Sequence, residues 1–175
     1  MKVPTEQNYI LNAFQLRAAR VTAGVSLSAI GNLLGFTKAA VSLWEHQNNL
    51  TQIRTSNDNV TVIKEFFAQH SIFFPDANSI GLKAGLIGKK RAGLTRFQLR
   101  AARAILHMSQ EELAALINIP RYIIQKAELA MLNRYVHTLP PIESLPLQLR
   151  NFFEERNFIF CNDFIVSFYD NKKSS

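Results

Sequence analysis

The heptapeptide Phe-Gln-Leu-Arg-Ala-Ala-Arg stands at residues 14–20 and returns unchanged at 97–103, and the offset of 83 residues then holds without a gap to Glu45 and Glu128. A period this long, present twice, does not fit a solenoid, which stacks several short units; it points to two related domains in tandem. With 175 residues, 47% of them hydrophobic, the chain can hold two cores of about 80 residues each, close to the lower size at which a core stands alone. The expected organisation is a first domain over 1–83, a basic, glycine-containing linker over 84–94 and a second domain over 95–175.

Within each copy the apolar spacing is helical. Residues 12–22 carry Phe14, Ala18 and Val21 at helix intervals and then meet Gly24, suited to the left-handed conformation just past a helix end. A second segment over 26–34 has Ile30, Leu33 and Leu34 apolar; in the other copy Ser109 and Glu112 of the run SQEE form a capping box. Gly35 and Asn118 follow, the two residue types that most readily take positive φ. A third helix is expected from Thr37 to about His46, with Val41 and Trp44 inward, and from Pro120 to about Leu129, with Ile124 and Ala127 inward. Helix, short helix, one-residue turn and helix make a helix-turn-helix pattern, whose two short helices approach closely at a small residue, Gly31 or Ala114. A plain helical hairpin without a nucleic-acid role is the alternative.

Each copy then repeats a tail. Residues 59–70 read as a helix, and LPLQLRNFFEER as its counterpart, with Ser144 at the N-cap position and Pro146 in the first turn. Two β-prone runs follow in each case, 72–74 with 80–82 and 158–160 with 165–168, joined through Pro75, Asp76, Asn78, Asn162 and Asp163. Isolated two-strand hairpins are marginal in water, so these Phe-rich ones must dock. They can pair edge to edge within the chain or with a second chain, or each can cover the core of its own copy.

The segments GVSLSAIGNLLGFTKAAVSLWE at 24–45 and HMSQEELAALINIPRYIIQKAE at 107–128 resemble the core motif of the Cro/C1-type helix-turn-helix regulators, the XRE family, and the helix-then-hairpin tail resembles one appended to many short members. The resemblance implies a mainly α fold with small β-hairpins: two tandem lambda-repressor-like helix-turn-helix domains, each followed by a helix and a two-stranded hairpin. It also implies an ion pair between an arginine of the first helix and the glutamate ending the third, Arg20 with Glu45 and Arg103 with Glu128, partly buried and architectural. In the family the outer face of the third helix enters the major groove and the start of the second meets phosphate. Carried over, the DNA-binding positions are Thr37, Lys38, Ala39, Ser42 and Leu43 in the first copy. In the second they are Arg121, Tyr122, Gln125 and Lys126, with Gln110 at the helix-2 start, where the first copy has Leu27. Arginine and lysine donate to guanine, glutamine pairs with adenine, and tyrosine bonds phosphate or packs on a thymine methyl. The first copy, with Ala39, Leu43 and Leu27, departs from that pattern; its face suits a protein partner or a thymine-rich half-site.

The net charge of +7 and pI near 9.8 invite an anionic partner. Much of the excess lies in the linker, where Lys89, Lys90 and Arg91 have no acidic neighbour; it reads as a DNA-tracking arm or as a plain tether. A lone cysteine, Cys161, in an apolar strand is expected to be inert, and four scattered histidines lack ligand spacing, so neither metal nor other cofactor is expected. No nucleophile motif or phosphate loop suggests an enzyme. Without a signal-like start or a membrane-length apolar run, a cytoplasmic protein is expected. The leading expectation is a sequence-specific regulator of double-stranded DNA, by family habit a repressor, in which the two fused units act as a pseudo-dimer. The alternative is a protein-binding regulator (antitoxin, anti-activator or polymerase-contacting factor) in which only the second unit, or neither, reads DNA.

Overall fold

A computed structural model describes residues 10–129, 131–137 and 142–169; the outer ends of the two expected domains, 1–9 and 170–175, lie outside that range. The described chain contains eight helices and four strands. The first copy forms α1 (Ala13–Ala23), α2 (Leu27–Leu34), α3 (Lys38–Glu45), α4 (Asn57–Gln69), β1 (Ile72–Phe73) and β2 (Ser79–Leu82). The second forms α5 (Arg96–Ile105), α6 (Gln110–Leu116), α7 (Arg121–Glu128), α8 (Leu145–Glu154), β3 (Phe158–Asn162) and β4 (Ile165–Phe168).

Hydroxyl caps set most of the helix starts. Ser26, Thr37, Ser56, Thr95 and Ser109 each accept a hydrogen bond from the backbone N–H three residues on, which contributes about 1 kcal/mol per cap. Ser56 is why α4 begins at Asn57, two residues before the run expected to be helical. Ser109 and Glu112 close the capping box, and the bonds from Ser109 hold the Glu112 carboxyl below the usual carboxylate range. Two expectations fail here. Ser144 makes no side-chain cap and has helical backbone angles, leaving Pro146 in the first turn to set the start of α8. Pro120 takes the N-cap position and α7 starts at Arg121.

The helix ends explain the choice of small residues. Gly24 and Gly35 have φ of 69° and 73°, and the second copy puts His107 and Asn118 at the matching places, both with φ 55°. Asn and His are among the non-glycine residues most often found in the left-handed region, at a cost of order 1 kcal/mol each. Where α2 meets the turn, a Cβ on Gly31 would sit 2.5 Å from the Phe36 carbonyl oxygen. The second copy accommodates a methyl at the corresponding place, with Ala114 2% exposed.

The two hairpins merge into one four-stranded antiparallel sheet ordered β1-β2-β4-β3. Its central junction pairs β2 with β4, with Ile80 opposite Val166, each the second residue of its strand. The junction is therefore related to itself by an approximate two-fold axis through that pair. Ser79 Oγ and Ser167 Oγ meet across it at 2.8 Å, both buried. Of the dockings open to the hairpins, the chain uses two together: their inner edges pair with one another, and their faces cover α1 and α5. The most extensive helix contact is α1 against α5, so the repeated heptapeptide packs on its own duplicate. Phe14 of α1 meets Phe168 of β4 with ring centroids 6.0 Å apart, and the buried apolar side chains of both copies form one continuous cluster. Cys161 is exposed, not enclosed: β3 alternates from buried Phe158 and Phe160, and its register slips between Ile159 and Asn162.

Candidate nucleic-acid interface

The frame that aims α3 and α7 is built twice. Arg20 Nε lies 2.6 Å and Nη2 2.8 Å from the two carboxylate oxygens of Glu45, and Nη1 donates to the Val25 carbonyl at 3.1 Å. Arg103 repeats this with Glu128 at 2.6 and 2.8 Å and with the Met108 carbonyl at 2.6 Å. The side chains are 18% and 2% exposed in the first pair, 14% and 4% in the second. A planar guanidinium suits this bidentate task, and its third contact fixes the loop between the first and second helices.

On that frame the outward residues of α3 and α7 form two unlike faces. Thr37, Lys38, Ala39 and Leu43 are exposed and Ser42 is half-buried; Leu43 stands 70% exposed. The Ser42 carbonyl and hydroxyl lie 2.7 and 3.3 Å from His46 Nδ1. Arg121, Tyr122, Gln125 and Lys126 are all exposed on α7. Lys126 Nζ lies 5.3 Å from the centre of the Tyr122 ring, and Arg121 reaches Glu111 at 3.9 Å, a solvated contact worth little. Gln110, expected at a phosphate, is half-buried and donates to Glu128 Oε2 at 2.8 Å. Its amide N–H thus braces the ion pair, which Leu27 cannot do in the first copy.

Arg17 ties the copies together. Only 4% exposed, it donates from Nε to the Ala104 carbonyl at 2.6 Å and from Nη2 to that of Ile105 at 2.7 Å, so it caps the end of α5. It also bonds the Glu45 carbonyl and Asn49 Oδ1. Burial lowers its pKa to about 10, with Glu45 opposing and Arg20 adding to the shift, so the guanidinium stays charged at neutral pH. Beside it the rings of His46 and His107 approach to 5.5 Å, and burial, then the charges of Arg17 and His46, hold His107 down at about 4. The repeated word alone does not reveal this role of Arg17. An arginine in an otherwise inward-facing run is the signal that marks it.

The linker does not extend away from the body. Ile87 N–H donates to the Asn133 carbonyl at 3.0 Å, Asn133 Nδ2 to the Gly85 carbonyl at 2.7 Å, and Lys90 pairs with Asp163 at 3.7 Å. Lys89, Lys90 and Arg91 are exposed. Lys89 and Arg91 share a cavity with Arg134 and His137 of the loop that follows α7, neighbours that no local spacing signals. No helix among the described residues is long and apolar enough to cross a membrane. Comparison of the chain with family models, with curated proteins and with solved structures finds no match.

Proposed function

We propose that the protein is a sequence-specific regulator of double-stranded DNA, acting as a repressor, in which two tandem, non-identical helix-turn-helix units of Cro/C1 type serve as a pseudo-dimer. The observation that carries the reading is the approximate two-fold relation through Ile80 and Val166. That junction, with α1 packed on α5, joins two copies of a helix–tight turn–helix unit whose third helices each keep one exposed face. Single units of this kind need a partner to set two recognition helices about 34 Å apart. Here one chain supplies both, and the unlike faces call for an asymmetric site. Arg121, Gln125 and Lys126 supply direct readout from α7, and Tyr122 a phosphate or thymine contact.

Selection of bound fragments from a random duplex pool by the purified chain tests this. A non-palindromic site with two contacted stretches about one helical turn apart is expected. Perfect dyad symmetry about a single bound chain would remove the pseudo-dimer, and no enrichment at any salt would remove DNA binding itself.

A second reading rests on Leu43, 70% exposed, with Phe36 40% exposed on the turn before α3. An apolar surface of this kind suits a protein partner, leaving only α7 to meet DNA. Replacing Lys38 and Leu43 in one variant and Arg121 and Lys126 in another separates the two. If only the second variant loses duplex binding, α3 is not a reader.

A further inference from the structure

At the N-terminal end of α5 a cavity of about 170 Å3 opens between the linker and the loop after α7. Gly88, Lys89 and Arg91 line it from one side and Arg134, Tyr135 and His137 from the other. Three basic side chains thus line one concave site, and none of the three belongs to an ion pair among the described residues. Arg96, next to them, has its Nε buried with no acceptor among the described residues. Of the neighbouring carboxylates, one is engaged and the other leaves Arg91 unpaired. Asp163 accepts from the Tyr135 hydroxyl and pairs with Lys90, while Glu143 shares the adjoining cleft with Arg91 without pairing to it.

Gathering like charges in one cleft costs electrostatic energy that an anion there relieves, and a cleft focuses the field that draws one in. The repulsion is felt locally: burial, then Arg91, Arg96 and Arg134, push His137 below the usual histidine range, and burial, then Arg134 and Arg100, lower Arg96. Two guanidinium forks and an ammonium match a tetrahedral, multiply charged oxyanion better than a single carboxylate, which would leave cationic charge uncompensated. His137 and the backbone around Gly88 complete a site of modest size, fitted to a phosphate or diphosphate group and too small to enclose a nucleoside as well.

We infer that this pocket is a phosphate-class oxyanion site, held by Lys89, Arg91 and Arg134 and separate from the faces of α3 and α7. Its oxyanion can come from a free phosphate compound or from the backbone of a duplex. The full chain is titrated with inorganic pyrophosphate at fixed ionic strength, against Lys89→Gln/Arg134→Gln and a control with equal loss of exposed charge, Arg54→Gln/Lys83→Gln. The salt dependence of duplex binding is measured on all three proteins.

The site predicts that wild type and control bind pyrophosphate and gain thermal stability from it, while the pocket variant weakens by about tenfold or more. A duplex source predicts instead that the pocket variant lowers the logarithmic salt slope by about two, at roughly 0.9 per phosphate contact, and that the control does not. Either result supports the site and names its source. Indistinguishable pyrophosphate binding together with coincident salt slopes overturns it. Pyrophosphate binding that only the pocket variant loses, with no duplex binding by any of the three proteins, would sink the DNA reading and leave the pocket standing.

Discussion

The two copies carry one heptapeptide, yet its first arginine does different work in each. Arg17 and Arg100 both donate to the carbonyl of the glutamate that ends the third helix, Glu45 or Glu128. Only Arg17 adds bonds to the other copy, at the Ala104 and Ile105 carbonyls. The pairing of α1 with α5 is therefore symmetric in sequence and asymmetric in hydrogen bonding. A repeated word fixes a local helix and a bond within its own unit; what lies across the interface is decided by the neighbour.

The largest effect should come from the element both copies share. Arg103→Ala or Arg20→Ala leaves a nearly buried glutamate uncompensated and should destabilise by about 3–5 kcal/mol in denaturant unfolding. An unchanged midpoint would show that the pair is incidental. The heptapeptides should separate next: Arg17→Ala is expected to cost about 3 kcal/mol and Arg100→Ala about 1 kcal/mol, because only the first abandons carbonyls in a buried interface. Equal costs would mean that the cross-copy bonds contribute nothing.

On the proposed DNA surface, Arg121→Ala should weaken duplex binding by about 1–3 kcal/mol and relax specificity at one base pair. Ala39→Gly, on the equivalent turn of α3, should change binding little. If the α3 change proves the more costly, the two faces have been ranked the wrong way round. The smallest effect belongs to His107. Its folded pKa, near 4, lies below its ordinary 6.5, so the unfolded chain takes up a proton first as pH falls. Stability is then fully present above about pH 6.5 and declines toward pH 4. Because the ring is solvent-accessible, the loss should be under about 1 kcal/mol after screening. His107→Asn keeps a residue tolerant of positive φ and should flatten that part of the profile. An unaltered profile would place the titration elsewhere.

The helices were legible because their determinants are local. Ser109 with Glu112, Thr37 before α3, and the positive-φ residues Gly35 and Asn118 mark starts and turns without reference to the rest of the chain. The pairs Arg20 with Glu45 and Arg103 with Glu128 were implied by the resemblance to the Cro/C1 type, and both form. What escaped depends on contacts distant in sequence. Nothing near Gln110 shows that its amide will turn back to Glu128, 18 residues away. Likewise, nothing near residue 90 shows that the linker will bond to Asn133 and face Arg134. The strand runs signalled hairpins, but the β2–β4 junction depends on two edges 86 positions apart meeting at Ile80 and Val166. Cys161 lies in the strand its apolar run implies, and it is exposed because a strand buries alternate residues.

The β2–β4 junction and the packing of α1 on α5 are made inside one polypeptide. A pair held this way does not dissolve on dilution, because its second half is always present at the effective concentration set by the tether. On the proposed DNA reading, occupancy of a paired site should therefore follow the amount of protein without the squared dependence of a dissociating dimer. Every molecule also carries both faces in fixed ratio, so one face can change by mutation while its partner keeps the older contacts. Fusion trades a steep response to dosage for freedom of the two halves to diverge, and the pairing of Ile80 with Val166 is where that trade is fastened.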